Sequence, residues 1–259
     1  MIIEDAENGN KNTVDNDTTL SSKKMSIIAH IMDLRWVLIR CTGVLIVCSV
    51  LCGIFWQRLF DYIAIWPLRL SDPVPRLIYT APAETLMLAL RIAVTCGSVL
   101  ASPFIFYQVW GFISPGLYKK EKAVVLPLVI ASTVCFLAGI AYCYFLLPLL
   151  LQFLTGFAEG QIDPYFRINE YLSFLVKTCI AFGISFELPV IAVMLRRMGL
   201  LDHHFLIRYF RGAIVVIFIV AAILTPPDVL SQIFLALPLL LLYTISILLV
   251  FLARSKETT

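Results

Sequence analysis

Residues 123–147 read AVVLPLVIASTVCFLAGIAYCYFLL, an uninterrupted apolar run with no charged side chain. A helix crosses a bilayer core with roughly 20 apolar residues, so this run is long enough to span. Five more apolar segments lie around it, at 37–56, 86–107, 173–195, 212–224 and 230–252. In hydrocarbon every backbone polar group must be bonded within the protein, and a continuous apolar run achieves this as a helix. A membrane barrel would instead alternate apolar and polar residues over ten-residue strands. The reading is therefore an all-α polytopic membrane protein with six transmembrane helices.

Composition agrees. Of 259 residues 60% are hydrophobic and 14% charged, with a mean hydropathy of +0.92. Soluble domains carry about a quarter charged residues. The net charge of +3 gives no nucleic-acid signal; where the basic residues sit relative to the spans is the informative quantity. With a cytoplasmic N-terminus, fourteen Lys and Arg fall on that side. Arg58, Arg69, Arg76 and Arg167 fall opposite, and Arg91 and Lys177 lie within spans. That asymmetry predicts both termini in the cytoplasm. Met1–Lys24 is polar, without the apolar core of a secretory signal, and reads as a disordered tail; Met25 offers an alternative native start. Residues 25–253 form one membrane domain, and 254–259 a short C-terminal tail.

The fifth segment, 212–224, is too short for a ~30 Å core at 1.5 Å per residue. It ends at Thr225-Pro226-Pro227-Asp228, where Thr225 and Asp228 have capping-box spacing for the sixth helix and Pro226 suits its first position. Two readings stay open: a tight hairpin, or a short helix that thins the bilayer beside it. Pro103, Pro127, Pro148, Pro189 and Pro238 fall within spans and are expected to kink them. No internal repeat suggests an inverted-repeat transporter.

Chemistry-bearing motifs are scarce. The sequence has no phosphate-binding loop, GxGxxG, HExxH or GxSxG. Neither His30 nor the pair His203 and His204 has a partner at metal-ligand spacing. The seven cysteines all lie in apolar blocks and read as small buried residues. No catalytic residue, metal or cofactor is expected. Three polar groups remain: His30, Asp33 and Arg35 before the first span; Ser114–Lys122 in the first cytoplasmic loop, with Glu121 the one acid among its lysines; and Glu187 deep in the fourth span. The first two read equally as headgroup-level charges and a basic topology anchor. Glu187 is the sharper signal, because a carboxylate there costs about 2.5–3.5 kcal/mol even on the lenient insertion scale. Arg91 lies too far along its helix for an easy pair with it and is expected to snorkel, as is Lys177. On composition alone, a proton-coupled small-solute transporter using Glu187 is the alternative.

Five stretches together resemble one family. They are His30-Ile31-Met32-Asp33-Leu34-Arg35, Tyr107-Gln108-Val109-Trp110-Gly111-Phe112-Ile113-Ser114-Pro115-Gly116-Leu117-Tyr118 with Lys119 and Glu121, Tyr171-Leu172-Ser173-Phe174, Ala181–Val190 around Phe186-Glu187-Leu188-Pro189, and Leu224–Gln232. Their order and register over about residues 28–250 are similar to the TatC family of twin-arginine translocases. The resemblance implies a concave, glove-like arrangement of six helices in a bacterial cytoplasmic membrane, among membrane lipids. It further implies binding of twin-arginine signal peptides of folded cargo, and homo-oligomeric assembly with the single-span partners TatA and TatB for export driven by the proton gradient. Asp33, Arg35, Phe112, Lys119 and Glu121 match the family's signal-peptide site. Glu187 matches its intramembrane partner contact, and Thr225, Pro226, Pro227 and Asp228 its structural turn and cap. The chain departs from the pattern with Asp33 in place of Glu, Val37 where a second Arg is common, and Thr244 where many members have Glu.

Overall fold

Continuous apolar runs with few charges produce long helices here, and their ends follow from proline, glycine and polar residues. The computed structural model describes residues 32–71, 76–113, 122–156, 165–224 and 229–254. The polar tail, residues 114–121 and Thr225–Asp228 lie outside the described residues.

Helix α1 runs over Met32–Ile54. Its C-terminal end continues through α2 (Trp56–Phe60), a π-helical turn (Asp61–Ile65) and α3 (Trp66–Arg69). After strand β1 (Arg76–Ile78) come the two longest helices, α4 (Ala83–Ile113) and α5 (Lys122–Gly156). At 1.5 Å per residue they measure about 46 and 52 Å, so both project beyond a ~30 Å core. Strand β2 (Tyr165–Arg167) leads into α6 (Ile168–Ser185) and α7 (Leu188–Arg197), followed by α8 (His203–Arg208), α9 (Phe210–Leu224) and α10 (Val229–Arg254). Five segments among the described residues are long and apolar enough to cross a membrane: α1, α4, α5, α6 with α7, and α10. The fifteen-residue α9 is shorter, about 22 Å by helical rise, as its sequence predicts.

The helices outrun their sequence-based limits by a few residues at most ends, because water-facing turns continue a helix without needing apolar residues. Of the five prolines expected to kink their spans, one interrupts its helix. Backbone helix continues through Pro103, Pro127, Pro148 and Pro238, whereas at Pro189 the fourth segment breaks into α6 and α7. Pro189 has no N–H for the Ser185 carbonyl. Ahead of it the turn tightens, with Glu187 N–H donating to Ile184 O at 3.1 Å, before Ile191 N–H resumes on Glu187 O at 2.9 Å.

One element has no counterpart in the sequence reading. Strands β1 and β2 pair in parallel, with Arg76 opposite Tyr165 and Ile78 opposite Arg167. β2 runs directly into α6 and β1 lies four residues before α4, so the pair sets the starts of α4 and α6 side by side at one end of the bundle.

The core lies between α4, α5, α6 and α10, with Ile92, Leu147, Leu172, Leu175, Phe182 and Leu235 almost wholly buried. The Tyr171 hydroxyl ties α6 to the π-helical turn by donating to Ala64 O at 2.9 Å. The α5–α6 crossing depends on two glycines. A Cβ on Gly139 would sit 2.7 Å from Phe182 O, and one on Gly183 2.7 Å from the Phe136 ring. In lipid no hydrophobic effect draws helices together, so close backbone approach through small residues is the main source of packing. By contrast, α1 buries no residue. It touches α4 where Gly97 faces Ser49, closely enough that a Cβ on Gly97 would lie 2.6 Å from Ser49 Cα.

Candidate functional site

Antiparallel packing decides which polar residues share an end. Asp33 lies about sixteen residues before the Ser49–Gly97 contact and Phe112 about fifteen residues beyond it, so at 1.5 Å per residue both lie some 23 Å from that contact toward one end. Asp33 and Arg35 are exposed and Phe112 is half-buried. Two residues on a helix are about 200° apart, so Asp33 and Arg35 leave α1 on different faces. Lys119 and Glu121 lie outside the described residues, in the connection between Ile113 and Lys122. The structure thus brings Asp33, Phe112 and the two ends of that connection to one side of the bundle.

Glu187 sits at the α6–α7 break and is only 6% exposed. Its Oε1 is buried without a hydrogen-bond partner among the described residues. The Ser132 hydroxyl of α5 stands beside the carboxyl, and that hydroxyl accepts a hydrogen bond from Trp110 Nε1 of α4 at 2.9 Å. Cys135, one turn along α5, lines the neighbouring cleft with Pro189 and Val190. This cleft of about 300 Å³ runs between α5 and α7 past Met194 to Arg197. An acid with an unpartnered oxygen next to an apolar cleft has the chemistry to receive a polar group from outside the chain, because leaving such an oxygen unsatisfied costs about 1–3 kcal/mol.

Trp110 and Ser132 are members of this site that sequence reasoning did not single out. Trp110 was visible in the Tyr107–Tyr118 stretch, but its partner lies on another helix, and Ser132 within an apolar run carries no signal of its own. Arg91 is not Glu187's counter-ion. Its guanidinium donates to Asn169 O at 3.1 Å and to the Ser173 hydroxyl, so it bridges α4 to α6 beyond the freely snorkelling role expected of it. Lys177 is exposed.

The histidine pair also differs from its sequence reading. Ligand atoms of Asp202, His203 and His204 lie within 4.8 Å of one another. The Asp202 carboxylate is already engaged, however, accepting from Arg196 at 2.8 Å and from the His203 backbone N–H at 2.9 Å. The His203 hydrogen bond, with the Arg196 charge, holds its carboxyl below the usual range. The trio acts as an ion pair and a cap for α8. All seven cysteines are free; of those read as small buried residues, Cys143 and Cys179 are buried and the other five only half-buried.

With this geometry the chain can be compared with known proteins. The family model of TatC, the Sec-independent protein translocase protein, matches residues 29–238. The Sec-independent protein translocase protein TatC of Helicobacter pylori (strain J99) is 41% identical over 220 residues, covering 85% of this chain and 86% of the relative. The protein of the same name from Aquifex aeolicus is 37% identical over 236 residues, covering 90% and 98%. Among solved structures, one described as the twin-arginine translocase receptor TatC superposes with a TM-score of 0.80 at 38% identity, covering 87% of this chain and 99% of its own. This chain belongs to the TatC family, as a membrane-embedded subunit of the Sec-independent twin-arginine protein translocase and not an enzyme.

Proposed function

We propose that this subunit is the receptor for twin-arginine signal peptides and the core on which the translocase assembles. The observation that carries the reading is the exposed Asp33 carboxylate, at the same end of the bundle as Phe112 and the connection holding Lys119 and Glu121. A guanidinium forms a planar fork that two carboxylate oxygens match, and a lysine ammonium cannot reproduce that geometry. Two acids, Asp33 and Glu121, select for two consecutive arginines. Arg35, Phe112 and Lys119 border the same face and orient the peptide. The similarity to a structure described as the translocase receptor supports this assignment.

In this reading the chain spans a bacterial cytoplasmic membrane six times, α9 being the short fifth span, with both termini cytoplasmic as the basic residues demand. Glu187 and the cleft beside it meet a polar residue of a single-span TatA- or TatB-type partner, or the inserted signal peptide. Lysine in place of both signal arginines is the discriminating control. Photocrosslinkers placed at positions 33 and 121 should capture a twin-arginine signal peptide and not its twin-lysine version. Equal capture of both peptides, in protein shown to be inserted correctly, would remove the receptor assignment.

A further inference from the structure

Arg91 is a cation in an apolar wall whose known partners do not account for its charge. It lies about eight residues into α4, but long helical side chains lean toward the N-terminus. Its guanidinium accordingly reaches Asn169 O in the first turn of α6, level with the ends of the two helices. Both of its hydrogen bonds among the described residues leave from Nη1, so Nε and Nη2 take no protein acceptor there. Among the described residues, the acids at the starts of α4 and α6 are already occupied. Glu84 accepts from Thr80 N–H and hydroxyl at 2.9 and 2.8 Å, and Glu170 pairs with Arg167 at 2.8 Å.

Beside the guanidinium, α4 and α6 enclose a groove of about 450 Å³. Met87, Leu90, Val94, Val176 and Ile180 line it with apolar surface. Its two hydroxyls are already bonded within α4, Thr95 to Arg91 O and Ser98 to Thr95 O. From Met87 to Ser98 the groove extends about 16 Å by helical rise, roughly one leaflet of a ~30 Å core. Its polar end is at the helix starts and its apolar length runs toward mid-membrane.

We propose that Arg91 and this groove form a phospholipid site, with the headgroup phosphate on the guanidinium and one acyl chain laid between α4 and α6. Nε and Nη2 supply the bidentate donor pair that a phosphate accepts. The groove's polarity runs in the same direction as a lipid's, phosphate at the surface and hydrocarbon below, which favours a lipid over a free anion.

The test is native mass spectrometry of the full chain in detergent, titrated with dioleoyl phosphatidylglycerol. Wild type should retain one lipid tightly, and Arg91→Gln should weaken retention about tenfold, the scale of one lost charge-assisted hydrogen bond. Val94→Trp fills the groove while leaving the Asn169 and Ser173 bonds intact, so a comparable loss there excludes misfolding as the cause. Unchanged retention in both variants overturns the proposal. So does displacement of the lipid by millimolar inorganic phosphate, which would mark a free-anion site. Loss of crosslinking to a single-span partner helix with lipid retention intact would assign the groove to that helix and equally overturn it.

Discussion

Replacing Glu187 with leucine separates what the acid does for the fold from what it does for assembly. The carboxyl is 6% exposed with one oxygen lacking a partner. Leucine keeps a side chain of similar bulk between α5 and α7 and removes the orphan oxygen, a gain of about 1–3 kcal/mol. Ser132 loses a neighbour but keeps Trp110 as its donor at 2.9 Å, so the offsetting loss is at most about 1 kcal/mol. The balance predicts a subunit as stable as wild type or more stable by up to about 3 kcal/mol. In a chain of this size that is a Tm between unchanged and about 12 °C higher. Tm in detergent can be followed by intrinsic fluorescence, alongside crosslinking of the same variant to its single-span partners in membranes. Unchanged or raised Tm with crosslinking reduced severalfold is the expected pair of results, the trade of stability for function common at binding sites. A fall in Tm of more than a few degrees would mean that the carboxyl anchors the α6–α7 break. Undiminished crosslinking would remove it from the partner contact.

Three further outcomes follow from the same geometry. Asp33→Ala and Glu121→Ala should each weaken signal-peptide binding roughly tenfold, the worth of one charge-assisted pair, with insertion intact; peptide titration against the purified subunit measures it. Gly139→Ala places a methyl 2.7 Å from Phe182 O and 2.9 Å from the Phe186 ring; overpacking of that kind costs about 1–3 kcal/mol, readable as a lowered Tm that Gly156→Ala, in open space, should not reproduce. Trp110→Phe deletes the buried bond to Ser132 and should cost about 1 kcal/mol, and adding Ser132→Ala should cost less than the sum of the two single changes, since both remove the same bond.

The membrane class and the long helices were legible because span length is a physical constraint on sequence: a bilayer core fixes how many apolar residues must follow one another. The shortness of α9 and the break at Pro189 were legible for similar reasons, a missing length and a missing N–H. Tertiary placement was not. Nothing local in the sequence tells whether Pro103 bends α4 or is absorbed by its neighbours, and nothing in Arg76-Leu77-Ile78 announces a partner strand ninety or so residues away. At the candidate site the acids could be named because charge is conspicuous in an apolar chain. Ser132, Asn169 and Ser173 could not, because a small polar residue in a span becomes informative only when the fold places another group against it.

Trp110 shows how the two halves of the proposed site are joined physically. It lies on α4 three residues before the last described residue of that helix, Ile113, beyond which the connection to α5 carries Glu121. Its ring is buried with Val129, Val190 and Met194 from α5 and α7, and its Nε1 holds the Ser132 hydroxyl that stands beside Glu187. In the proposed reading, a peptide that repositions this end of α4 would act on the environment of Glu187 through one packed ring and one hydrogen bond. The α5–α6 crossing beside it, closed by Gly139 and Gly183, is too tightly packed to take up such a movement. The α6–α7 break is different, because Pro189 has already removed one bond of its backbone ladder, the one to Ser185 O. The helix is thus most easily hinged at the residue whose carboxyl oxygen is unpartnered, which places a receptor's output where a partner can read it.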